Sequence, residues 1–279
     1  MTSHPGIVLR LLTWNLLHGR DHPPNRALDS WRSRLLRSPE HDATHIQVNR
    51  SLRAEFGQLL AGWEWDVALL QEAPPRWLAE LERATSASGA GVLTSRNSFA
   101  PLRAVLADWN PDLIRSHEGG SNMLLVRPPA RIAATRTVVL TGQPERRVLL
   151  MARLELPEGR RLVVGNVHLS VPRTGQGRAE ALLAARLATE WAAGDPVVLG
   201  GDLNLRPADH RAAFDELRDR FALAPPTAPR SIDHLLARGL DVVARPAALP
   251  DTDRELADPS GLAIRLSDHA PVVASFSVR

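Results

Sequence analysis

The chain has no cysteine, no tyrosine and no lysine: all 34 of its Lys+Arg residues are arginine. The missing cysteine excludes disulfides, thiolate zinc sites, iron–sulfur clusters and a cysteine nucleophile. No apolar run approaches the roughly 20 residues that span a bilayer. The opening Met1-Thr2-Ser3-His4-Pro5 lacks a basic segment followed by an apolar one. No secretory signal is therefore expected, and the default location is cytoplasmic. A formal net charge of +3 coexists with a pI of about 10.8. Without lysine, tyrosine or cysteine, nothing titrates between the terminal amine near pH ~8 and arginine above pH ~12. A small surplus then drags the pI upward, so this value is no proof of a nucleic-acid footprint. With 44% hydrophobic and 23% charged residues, the composition is that of a globular protein. At 279 residues the chain is long enough to bury a large core without staples.

Apolar patterning predicts a short strand over residues 7–15, which ends at Asn15. Residues 21–50 are polar, arginine-rich and punctuated by proline, with a short helix predicted from Arg26 to Arg37. Ser51 is positioned to cap a helix through Leu60, with Leu52, Phe56, Leu59 and Leu60 on one face. A buried strand over 66–71 leads to Glu72, and Pro74-Pro75 open a helix to about Ala84. From Met123 onward strands are expected at 123–127, 131–140, 148–156, 162–169, 196–201, 232–237, 241–244 and 271–278. Helices are expected at 177–192 and 207–221. No repeat, low-complexity tract or linker divides residues 1–279, which are read as one domain.

Several apolar runs stop at a residue able to bind metal or move protons: Asn15, Glu72, His168 and Asp202. Singly, each has an ordinary explanation as a turn residue, a cap, a solvated acid or a core histidine. Their order is more specific. It runs Thr13-Trp14-Asn15, Leu70-Gln71-Glu72, Asn166-Val167-His168-Leu169 and Gly201-Asp202-Leu203-Asn204. Ser231-Ile232-Asp233-His234 and Leu266-Ser267-Asp268-His269-Ala270-Pro271-Val272 complete it. In these blocks the chain resembles the endonuclease/exonuclease/phosphatase family of DNase I-like and exonuclease III-like phosphoesterases, over residues 7 to 276. The resemblance implies an α/β (α+β) four-layer αββα sandwich. Two mostly antiparallel sheets would lie face to face between helices, with the site at one edge of the sheets.

Hydrolysing a phosphodiester needs an activated water, neutralised phosphoryl oxygens and help for the leaving oxygen. Glu72 and the Asn15 side-chain carbonyl are hard oxygen ligands suited to Mg²⁺ or Mn²⁺. His269 has the residue type of a general base, with a pKa that can be poised near neutrality. The resemblance assigns Asp233 to fix the His269 tautomer. It places Asp202 at the attacking water, to align it or aid its deprotonation. Asn204 and His168 would donate to charge developing on the phosphoryl group. Asp268 would lie beside the metal, as a ligand or through water.

Two departures from the family pattern narrow the choice. The position of His168 is a tyrosine in exonuclease III-like members, and this chain has none. His234 stands where inositol 5-phosphatases carry an arginine. Residues 21–50 read either as a substrate-facing insertion or as a private surface loop. His18-Gly19 reads first as a turn and second as an edge of the site. Asn122 is a candidate to touch the substrate phosphate or orient His168. His4, His22, His117 and His210 are expected at the surface. Trp63, Trp65, Trp77 and Trp191 are expected to pack, and Trp109 to be the exposed aromatic. The substrate expected first is nucleic acid, cut by a nuclease. A small or lipid phosphoester is the alternative, and a non-catalytic binding module the third reading. No protein partner is implied.

Overall fold

Alternating apolar residues in the first run place Leu9, Leu11 and Thr13 on one face and Leu12 and Trp14 on the other, and both faces are buried. A strand covered on both sides belongs at the centre of a sheet sandwiched between other layers. The computed structural model describes residues 6–95, 100–114, 119–143, 145–171 and 175–279. His4 and His117 lie outside the described residues.

In chain order the elements begin with β1 (Ile7–Asn15), α1 (Trp31–Leu36), β2 (Glu40–His41), β3 (Ile46–Gln47), α2 (Arg53–Gly62), β4 (Val67–Ala73) and α3 (Leu78–Thr85). They continue with β5 (Ser88–Leu93), α4 (Ala100–Trp109), β6 (Ser121–Val126), β7 (Arg131–Thr141), β8 (Arg147–Glu155), β9 (Arg161–His168), α5 (Gln176–Ala192) and β10 (Val197–Asp202). The last are α6 (Arg211–Phe221), β11 (Asp233–Arg238), β12 (Asp241–Ala248), β13 (Glu255–Ala257), β14 (Ala263–Arg265) and β15 (Val272–Val278). One sheet has six strands in the order β12-β15-β1-β4-β6-β5; the second has five, β11-β10-β9-β8-β7.

Three apolar cores define the layers. Leu11, Leu69 and Leu124 of the first sheet meet Leu150, Val164 and Leu235 of the second between the sheets. Leu12, Trp14, Leu70 and Met123 pack outward against Phe56 and Leu60 of α2 and Leu81 of α3. Val163, Val197 and Leu199 pack outward against α5 and α6. On α5 the buried stripe is Ala181, Ala184, Ala185, Ala188 and Ala192, a 3.6-residue period of methyl groups that lets the helix lie close to the sheet. The arrangement is the four-layer sandwich that the resemblance implies. Among the described residues, no helix is long and apolar enough to cross a membrane.

Local structure departs from the sequence expectation in several places. The 26–37 helix is a 3₁₀ turn over Arg26–Leu28 and then α1, because Ser30 caps a new helix by accepting from Arg32 and Ser33. Ser51 makes no cap; the N-cap of α2 is Leu52, with no side-chain bond. α6 starts at Arg211 and not at Pro207, since residues 206–209 form a turn. His22 and His210 are half-buried rather than fully exposed. Trp31, at 71% exposure, is more open than Trp109 at 49%, whose ring is covered by the Arg37 guanidinium 5.7 Å away.

Candidate active site

Pairing across the second sheet puts three of the sequence candidates in one row. Asp202, the last residue of β10, is the register partner of His168 at the end of β9 and of Asp233 at the start of β11. In the first sheet Asn15 pairs with Gln71, the neighbour of Glu72. The β4–β6 pairing breaks register between Leu70 and Ala73, and Glu72 takes φ +48 there. Such a bulge re-aims a side chain, and Glu72 lines the cleft. Gly201 sits at φ +129, where a Cβ would lie 2.0 Å from the Val167 carbonyl oxygen. Only glycine lets β10 approach β9 so closely just before Asp202.

The loop between β14 and β15 delivers Asp268 and His269, and the rest of the fold grips it. Ser267 (φ +60) donates from Oγ to the Asn15 carbonyl at 2.6 Å, and its Oγ accepts from the His269 N–H at 3.1 Å. Trp14 Nε1 donates to the His269 carbonyl at 2.9 Å. Buried Arg254 donates from Nη1 to the carbonyls of Leu266, at 3.0 Å, and Ser267.

Within the site His269 Nδ1 is 2.8 Å from Asp233 Oδ2, and His269 Nε2 is 3.8 Å from Asp202 Oδ2. Asn15 Nδ2 donates to Asp202 Oδ2 at 3.1 Å, and the Asn204 N–H donates to Asp202 Oδ1 at 2.9 Å. His168 stands between two carboxylates, 3.7 Å from Glu72 Oε1 and 3.6 Å from Asp202 Oδ2. His18 Nε2 is 3.2 Å from Glu72 Oε2, so His18 edges the site as well as forming a turn. Asn204 holds the Leu169 carbonyl with Nδ2 at 2.8 Å, which leaves one amide proton for a ligand. Buried Asn122 donates to the Val148 carbonyl at 2.9 Å and has no bond to His168; its Oδ1 is unpartnered. The structure thus brings Asn15, Glu72, His168, Asp202, Asn204 and His269 around one place, with Asp233 behind His269. Asp268 is at its edge, 3.9 Å from His269 Nε2.

The electrostatics differ from the near-neutral imidazole expected at His269. Burial alone lowers its pKa, but the Asp233 charge and hydrogen bond, with Asp202 and Asp268 adding, outweigh burial and raise it to about 10. His269 is therefore an imidazolium at neutral pH. Asp202 is pushed up to about 7 by burial and by Asp233, against the pull of His269 and the bonds from Asn15 and Asn204. Burial, then the charges of Arg147, His269 and His18, hold His168 well below the usual histidine range, so it is neutral. His234 serves structure: its Nδ1 accepts from the Thr227 N–H at 3.1 Å and its Nε2 donates to the Leu205 carbonyl at 3.0 Å.

Asp202, Asp233 and His269 offer ligand atoms within 4.8 Å of one another, a buried group able to hold a metal ion. Burial lowers the pKa of His18, with Arg20 adding, against the opposing charges of Glu72 and Asp268. Asp233 Oδ1 and His18 Nδ1 are buried with no hydrogen-bond partner. Oxygen donors and unpartnered polar atoms without thiolates fit a hard divalent cation.

These side chains open into a cleft of about 840 Å³ that is also lined by Arg103, Arg146 and Arg147. Sequence reasoning passed over these arginines, Arg254 and Ser267; only the shared strand-end position of His18 and Asn15 offered a signal beforehand.

A two-sheet sandwich with a carboxylate–imidazole pair and oxygen ligands at its strand ends has the architecture of a phosphoesterase. The chain belongs to the endonuclease/exonuclease/phosphatase family, whose model matches residues 12–269. This is a family of phosphoesterases that generally use a divalent metal. The fold is similar to an endonuclease/exonuclease/phosphatase family protein from Bacteroides thetaiotaomicron (TM-score 0.66, 15% identity, 99% of this chain and 100% of that one). It is similar to a mannosyl-6-phosphatase of the same organism (TM-score 0.64, 16% identity, 96% and 99% covered). The human Nocturnin catalytic domain, solved with a bound sulfate anion, also matches (TM-score 0.60, 18% identity, 98% and 95% covered). No curated protein sequence matches the chain.

Proposed function

We propose that the chain is a divalent-metal-dependent phosphodiesterase acting on nucleic acid. The observation that carries this reading is the Asp233–His269–Asp202 chain, with 2.8 Å and 3.8 Å separations, in a cleft that three arginines also line. Asn15, Glu72 and Asp268 would hold the cation. When bound, it neutralises phosphoryl oxygens and lowers the pKa of water. Asp202, with a pKa near the working pH, accepts the proton of the attacking water, and Asn15 and Asn204 fix its carboxylate. His269, kept cationic by Asp233, faces the charge that develops on the phosphoryl group. Neutral His168 and the free Asn204 proton donate to the same oxygens. Asp202 thus acts as the base for the water, and His269 as the cation that meets the developing charge.

One observation favours the lipid alternative. Trp31, Leu35 and Leu36 of α1 and Leu102, Val105 and Trp109 of α4 are apolar and exposed. The mannosyl-6-phosphatase among the similar structures keeps a monoester substrate in view. One assay separates these readings: purified protein with Mg²⁺ or Mn²⁺ against single- and double-stranded DNA, RNA, sphingomyelin and sugar phosphates. Hydrolysis of polynucleotide, lost in excess EDTA, is expected. Glu72→Gln should raise the metal concentration for half-maximal rate about tenfold or more, because it removes a full charge from the ligand set. Undiminished activity in EDTA would overturn the metal role, and turnover of sphingomyelin alone would overturn the nucleic-acid reading.

A further inference from the structure

We infer that Arg103, Arg146 and Arg147 form an anion subsite that holds a second phosphate of the substrate, adjacent to the one being cut. The inference rests on the phosphodiesterase reading and names a feature its substrate must carry. Arg147, at the start of β8, has a side chain only 10% exposed, and its Nε is buried with no hydrogen-bond partner. Its carboxylate partner, Glu145, is 68% exposed. An exposed partner of this kind contributes little, whereas burying a guanidinium costs several kcal/mol unless its donors are met. Arg147 lines the cleft, and its charge is close enough to His168 to lower its pKa.

The neighbouring arginines are placed by separate elements. Arg146 is anchored by its Nη1, which donates to the Leu93 carbonyl at the end of β5 at 2.6 Å. Arg103 comes from α4, lines the same cleft, and has no carboxylate partner among the described residues. All three guanidinium groups line the cleft and, among the described residues, only Arg147 has a carboxylate partner, Glu145. A planar guanidinium matches phosphate oxygens in a two-bond fork, which lysine cannot do. A volume of about 840 Å³ exceeds what one phosphoryl group fills and suits a ligand with further groups on either side. In a nucleotide chain the next anionic group is the neighbouring phosphate.

The test compares the dinucleotide TpT with pTpT, which differs by one terminal phosphate, and uses bis(p-nitrophenyl) phosphate as a substrate with no second phosphate. For the unmodified protein KM should be about tenfold lower for pTpT than for TpT, with kcat within about twofold, the scale of a few charge-assisted bonds. Arg103→Ala/Arg146→Ala should erase that KM difference while leaving kcat on bis(p-nitrophenyl) phosphate within about twofold. A pTpT preference that survives in the double variant would overturn the subsite. So would an equal fall in kcat on all three substrates. Independently of turnover, calorimetry with inorganic phosphate in EDTA should show binding weakened about fivefold or more by the double variant. Equal phosphate affinity would also overturn it. If neither dinucleotide is hydrolysed, the phosphodiesterase reading fails, and the calorimetry alone decides the subsite.

Discussion

At the scale of single residues the site separates two jobs by environment. Asp202 and His269 are 3.8 Å apart, yet one is a carboxyl raised to about 7 and the other an imidazole raised to about 10. The rate should therefore rise with pH as Asp202 loses its proton and becomes able to accept one. It should fall again as His269 loses the charge that faces the phosphoryl group. His269→Ala should lower kcat by about 10²–10⁴ and remove the descending limb of the kcat/KM profile. Asp233→Asn should lower kcat less, because an amide can hold the ring but cannot stabilise its protonated form. If the two act as a unit, the double variant should be little worse than His269→Ala alone. Additive losses in steady-state kinetics would show that they act separately.

At the scale of elements, the segment over residues 21–50 is tied to the fold by a buried polar group. Asp21 Oδ2 accepts from the Val48 N–H at 2.7 Å, and Asp21 bridges to Leu266, next to the loop that carries His269. Burial raises the Asp21 pKa to about 8; the Val48 bond and Arg20 oppose this, and Asp112 adds to it. The folded state then holds a proton that the unfolded chain releases near pH ~4, so this contribution to stability is complete below that pH. It is lost as pH rises through about 8. Thermal unfolding should show Tm declining between about pH 5 and pH 8, and Asp21→Asn should flatten the decline, with on the order of 2–4 kcal/mol involved. An unchanged slope in the variant would assign the decline to another group.

The strands with strong apolar patterns, β1, β4, β9 and β10, were readable from sequence because both faces are buried and each ends at a polar residue. β5 was not: Ser88-Gly89-Ala90-Gly91 has the composition of a loop, and it becomes a strand only by pairing with β6. β13 and β14 are three residues each and depend on each other. Asn15, Glu72, His168 and Asp202 were readable as ends of apolar runs, and Asn204, Asp233, Asp268 and His269 only through the family resemblance. The His269 pKa was not, because it depends on Asp233 and Asp202, which approach only in the folded chain. Arg147 and Arg254 are likewise ordinary arginines until burial and partners distinguish them.

At the scale of the whole molecule, buried amides bond across the two sheets: Asn122 to Val148, Asn15 to Asp202, and Asn166 most fully. Asn166 on β9 donates across to the carbonyls of Leu70, at 2.9 Å, and Met123, at 2.7 Å. Its Oδ1 accepts from Gln71 Nε2 at 2.7 Å. The site draws Asn15 and Glu72 from one sheet and His168, Asp202 and Asp233 from the other, so the Asn166 bonds help to set their separation. Asn166→Ala should leave two carbonyls and an amide unmet in the interior and cost roughly 2–4 kcal/mol in denaturant unfolding. It should also lower kcat, since no element other than the sheets fixes the relation of Glu72 to Asp202. Full activity with normal stability would show that the sheets keep their register without the Asn166 bonds.

The place of β15 has a consequence for how the protein is made. β15 lies between β12 and β1, pairing Ile7 with Val278 and Thr13 with Val272. Strand β1 therefore waits beside an open edge until residues 272–278 emerge. At about 5–20 residues per second that delay is roughly 10–50 s. Of the candidate residues, Asn15 and Glu72 are then made well before Asp268 and His269, which one loop delivers together. The candidate site is complete only once that loop has emerged.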